Sequence, residues 1–127
     1  MTDLEQAKHV FQAIILTAIA DGQADGMEAQ MVGKLRKENP FLEELSDIRE
    51  IGLEIKTRAE HIGAEPALRA VAAGIKDRDY RETAFRLCAQ VMGADGETDM
   101  EEAELLGTLQ ELWEFTPADV KRLLSGK

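Results

Sequence analysis

AIADGQADGMEA, residues 18–29, returns as MGADGETDMEEA, residues 92–103. Each copy ends an apolar run on alanine, aspartate and glycine, then opens a new segment on an acid with a second acid three positions later. Shifted by 74 positions, the chain matches Phe11 with Phe85, Asp25 with Asp99, Glu28 with Glu102, Gly33 with Gly107, Leu35 with Leu109 and Phe41 with Phe115, without a gap. A complete helix-turn-helix unit is therefore written twice. That predicts a pseudo-symmetric all-α bundle with the two helices that precede the turns at its centre.

Outward from the repeat, helical spacing of apolar residues accounts for the rest of the chain. Leu4, Ala7, Phe11, Ile14 and Ala18, widened by Val10, Ile15 and Ile19, form a largely buried first helix that ends at Asp21-Gly22. A second runs from about Gly26 to Lys37, and Asn39-Pro40 stops it. Phe41, Leu45, Ile48, Ile51, Ile55, Ala59 and Ile62 predict one long third helix as far as Gly63. Glu65-Pro66 opens the fourth with proline at its first position, and Asp79 with Glu82 caps the fifth. Met100 to about Trp113 is the sixth, and Thr116-Pro117 starts the seventh. No stretch alternates with period two, and no low-complexity linker divides the chain, so the expectation is a single seven-helix domain over residues 1–127.

Composition narrows the partners. With 25 acidic against 15 basic residues and a formal charge of −10, the chain repels phosphate backbones, which argues against nucleic acid and favours cations and basic surfaces. The one cysteine, Cys88, lies in an apolar-patterned stretch and excludes an intramolecular disulfide. MTDLEQAKH lacks a basic n-region, and the apolar run after it is too short for a span, so a cytoplasmic protein without membrane insertion is expected.

The turns carry the candidate site. Asp25 with Glu28, and Asp99 with Glu102, fit the capping box, which satisfies orphan N–H groups and complements the helix dipole. Gly22 and Gly96 close the preceding helices in the usual left-handed way. Asp21 and Asp95 are different, because an aspartate in a last turn faces the negative end of the dipole, an unfavourable contribution of roughly 0.3–1 kcal/mol. Two compensations fit: the carboxylate accepts N–H groups of its own turn, or a divalent cation is held by hard oxygen ligands, calcium among the candidates. An EF-hand is excluded. Asp21, Gln23 and Asp25 occupy loop positions one, three and five and Gly26 position six, but Val32 and Leu106 stand where the bidentate glutamate belongs, and Met100 replaces the second glycine.

Two such turns, Ala20-Asp21-Gly22 through Glu28 and Ala94-Asp95-Gly96 through Glu102, in an all-helical chain of this size resemble the tellurite-resistance protein B (TerB-like) family. The resemblance implies a seven-helix TerB-like fold and metal chelation by the acidic turns, with Asp21, Asp25, Glu28, Asp95, Asp99 and Glu102 as the ligand set. It also implies a role in tellurite resistance or related stress responses, beside membrane-associated and calcium-binding partner proteins. Gln23 where the second turn has Glu97, and the extra Gly26, depart from the commoner family pattern.

Other chemistries lack support. His9 and His61 have no glutamate three residues before them, so the Glu-x-x-His signature of di-iron bundles is missing. Cys88 has no identifiable histidine partner, and no glycine loop for phosphate is present. Lys34-Leu-Arg36-Lys37 and Lys76-Asp-Arg78 flank helix ends, where cations complement the dipole. The expected function is non-enzymatic: cation binding and docking on proteins. The alternative is a metal-free interaction module that uses its acidic surface.

Overall fold

The computed structural model describes residues 3–20, 33–92 and 100–124, and every regular element among them is helical. They are α1 (Asp3–Ala20), α2 (33–38), α3 (Pro40–Glu43), α4 (Ile48–Ile62), α5 (Ala64–Ala73), α6 (Arg78–Met92), α7 (Met100–Leu112) and α8 (Pro117–Leu124). The all-α class is as expected; the count of seven is not, because the third expected helix is two. Arg36 is the physical reason. Its guanidinium donates to the Leu42, Glu43 and Leu45 carbonyls at 3.3, 3.2 and 3.0 Å, satisfying acceptors that a continuing helix would have used itself. Leu42 and Leu45 are both buried across this corner, so the apolar spacing continues through a break it does not reveal.

α1 is the axis of the molecule. Ala7, Val10, Phe11, Ala13, Ile14, Ile15, Leu16 and Ala18 are all buried, too many for one stripe, and the helix packs against α3, α4, α5, α6 and α7. Its most extensive partner is α6, which contributes Ala84, Phe85, Leu87, Cys88 and Val91 to the same core. Repeat-related pairs share their environment: Phe11 and Phe85 are buried, as are Leu35 and Leu109, while Phe41 and Phe115 each meet another ring edge-on. Among the described residues, three apolar positions of the helical stripes lie outside the core. Leu4, Ile62 and Leu124, the last of these read with Val120 and Leu123 as an anchor of the final helix, are each 51% exposed, in the first turn of α1 and at the last residues of α4 and α8.

The junctions are settled by backbone chemistry. Gly63 joins α4 to α5 at φ 96°, ψ 153°, a conformation all but restricted to glycine, and gives its N–H to Ala59 while accepting that of Ala67. Ala64 therefore starts α5 and Pro66 is its third residue rather than its first, still within the turn whose N–H groups have no helical acceptor. α6 is capped by Asp77, not Asp79: the Asp77 carboxylate accepts the Asp79 N–H at 2.8 Å, which frees Glu82 for other contacts. At α8 the expected cap is present in reciprocal form, Thr116 Oγ accepting the Asp119 N–H and Asp119 accepting that of Thr116.

Candidate functional site

The direction of the central pair decides where the repeated turns begin. Gln6, buried near the start of α1, accepts the backbone N–H groups of Lys76 and Asp77 at 3.1 and 3.3 Å and donates to the Gly74 carbonyl at 3.2 Å. Gly74 permits this closeness, since a Cβ there would stand 2.9 Å from His9 Nε2. An equal distance further along both chains, Thr17 lies against the Cys88 thiol. Contacts kept in register over that length mean that α1 and α6 run parallel, with their N-terminal ends together and their C-terminal ends together. Parallel helices present the negative ends of two macrodipoles at one place, each equivalent to roughly half an elementary charge.

The residues expected to exploit that end are not described. Asp21, Asp25, Glu28, Asp95 and Asp99 lie outside the described residues, and Glu102 is on α7 with its side chain outside them. Among the described residues, no group of three or more His, Cys, Asp or Glu side chains is arranged to hold a metal ion. His9 is half-buried, its Nδ1 3.2 Å from Gln12 Oε1, and His61 is exposed. Burial pushes the Cys88 thiol up to about 12, against the contact with Thr17, which makes it a protonated core group.

At the other end of α1 lies a cleft of about 380 Å³, bounded by the first turns of α1, the corner between α3 and α4, and α4 itself. Leu4, Leu45 and Ile51 give it an apolar surface; Glu44, Asp47 and Glu50 line its edge and take part in no ion pair among the described residues. Glu5 and Glu54 add two further carboxylates, the latter 3.5 Å from Arg58, and Lys8 is the one cation in the lining among the described residues. A continuous amphipathic stripe from Phe41 to Ile62 with charges opposite does not single this feature out. Its signal was Asp47, Glu50 and Glu54 at spacings of three and four, next to the inward-turned Leu45.

A charged clasp joins α6 to α8. Arg122 reaches Glu82 at 3.3 and 3.1 Å, Arg78 reaches Glu82 at 3.2 Å and Asp119 at 3.5 Å, and the Arg78 guanidinium lies 5.5 Å from the centre of the Phe115 ring. Hydrogen bonding to Arg122, with both arginine charges, holds the Glu82 carboxyl below the usual carboxylate range despite its partial burial. The Thr116 N–H, its hydroxyl and the two arginines do the same for Asp119. Arg36 and Arg78 thus serve as helix-end and inter-helix partners rather than as a basic patch. No described helix is long and apolar enough to cross a membrane. Compared with protein-family models, curated proteins and solved structures, the chain matches none.

Proposed function

We propose that this chain is a non-enzymatic, cytoplasmic TerB-like domain of the tellurite-resistance or wider stress response, which holds a divalent cation between its two acidic turns and docks on partner proteins. The observation that carries the reading is the parallel pairing of α1 and α6. Asp21 follows α1 directly and Asp95 comes within three residues of the end of α6, so covalent connection alone limits how far either carboxylate can stray from its helix end. Like charge then gathers where two dipoles already concentrate it, and a cation relieves both. The donor set, Asp21, Asp25, Glu28, Asp95, Asp99 and Glu102, is all hard oxygen and suits Ca²⁺, Mg²⁺ or Mn²⁺ better than Zn²⁺.

Thermal unfolding with each of these ions tests the reading. At about a hundred times its dissociation constant, a specific ion stabilises the wild type by roughly 2.7 kcal/mol, and Asp95→Asn loses most of that gain. In the ion-free protein the signs separate cap from ligand. Asp99→Ala costs about 0.5–2 kcal/mol, whereas Asp95→Asn is neutral or stabilising by a few tenths, because it removes charge opposed by the dipole. Equal ion-induced shifts in wild type and Asp95→Asn would favour the second reading, a metal-free interaction module. Glu44, Asp47 and Glu50 along the α1–α4 cleft, which make no ion pair among the described residues, support that reading.

A further inference from the structure

The α1–α4 cleft differs in kind from an ion site. Asp47, Glu50 and Glu54 fall on one line along α4, spread over about 10 Å at the helical rise of 1.5 Å per residue. A divalent cation gathers six or more oxygens around a point, at about 2.0–2.6 Å. Carboxylates strung along a helix instead match cations strung along another chain. The apolar part argues further: Leu4 offers half its surface to solvent at the lip, above Leu45 and Ile51. A polyamine has charges at a similar spacing, but its thin methylene chain carries no bulky apolar group to fill a cleft of about 380 Å³ beside Leu4. Nucleic acid and anionic lipid surfaces are repelled by the same carboxylates.

We propose that this cleft is the docking site for an amphipathic segment of a partner protein, which sets a large apolar side chain against Leu4 and Ile51 and lysine or arginine side chains against Glu44, Asp47 and Glu50. Glu44, Asp47 and Glu50 make no ion pair among the described residues, so the incoming cations break no internal pair. Charge complementarity sets the rate and orientation of encounter, and the buried leucine contact sets residence. The proposal deepens the docking part of the function proposed above and is independent of its cation part, since the cleft stands at the end of α1 opposite Ala20.

The test uses the full chain in EDTA, so that a missing cation site and a missing docking site give different outcomes. The probe is a short fluorescent peptide of leucine and lysine in helical spacing, with a copy carrying glutamate for lysine as control. Binding is read by anisotropy and mapped by amide chemical shifts. Expected are saturable binding of the lysine peptide alone, shifts gathered on Leu4, Lys8, Leu45 and Ile51, and weakening with added salt. Asp47→Lys combined with Glu50→Lys lowers affinity by about tenfold or more, and Leu4→Ser, at an exposed position, lowers it without changing the salt dependence. Glu60→Lys combined with Glu111→Lys, the same charge change at exposed positions outside the cleft, leaves most of the affinity. Equal losses from the two reversals would show attraction to net charge only and overturn the proposal. So would shifts outside the cleft, or no binding at low salt.

Discussion

Glu114 occupies a position where glycine is the usual choice. Its φ is 55°, and around it the Phe115 N–H bonds the Gln110 carbonyl and its own N–H bonds that of Glu111, the pair of hydrogen bonds that closes a helix through a left-handed residue. The left-handed conformation costs a side-chain-bearing residue about 1–2 kcal/mol, and glycine returns about 0.4–1 kcal/mol of that as unfolded-chain entropy. Glu114→Gly is therefore expected to stabilise by about 0.5–1 kcal/mol, seen as a higher urea midpoint at unchanged slope. The reverse exchange applies inside α4 and α7, where a Cβ added at Gly52 or Gly107 would meet nothing within 4 Å. Gly52→Ala and Gly107→Ala should each gain about 0.5–1 kcal/mol. These residues also mark what periodicity leaves unread. Gln6 holds the α5–α6 connection and the Trp113 indole N–H donates to the Ala72 carbonyl at 3.1 Å, yet a hydrophobic pattern scores the first as a gap and the second as bulk.

Elements were legible where one stripe faces one core. α6 and α8 begin within a residue or two of the apolar spacing because their caps are local, written in Asp77, Thr116 and Pro117. The α3–α4 corner was not, because Arg36, from a different helix, supplies its donors. The internal repeat has a direct energetic test: Phe11→Ala and Phe85→Ala each leave a cavity at equivalent buried positions and should each cost about 3–5 kcal/mol, a large share of an ordinary domain's stability. A much smaller cost at one site would remove the equivalence. The α6–α8 clasp predicts a pH response. Glu82 and Asp119 have lowered folded values, so their contribution is complete above the ordinary carboxylate range and disappears as pH falls through those lowered values. Replacing Arg122 by leucine removes the chief cause at Glu82; urea midpoints of variant and wild type should differ at pH 7 and converge in acid. A gap that persists there would mean that Arg122 acts through packing alone.

For the whole molecule, the parallel central pair governs the order in which a folding chain can protect itself. The helix with the most apolar circumference comes first, and its main partner lies some 70 residues downstream, as the Gln6 contacts with Lys76 and Asp77 record. At about 5–20 residues per second, ribosomal synthesis leaves α1 without that partner for several seconds. Contacts so distant in sequence also bring a loop-closure cost that neighbouring helices avoid, which slows folding relative to bundles of local hairpins. A fragment ending before α6 should therefore remain unfolded and self-associate by light scattering, whereas adding the missing half in trans should suppress that scattering. α1 is made before every helix that covers it, and although α3, α4 and α5 soon follow, its widest contact waits for α6, so the growing chain carries part of its stickiest surface bare until then.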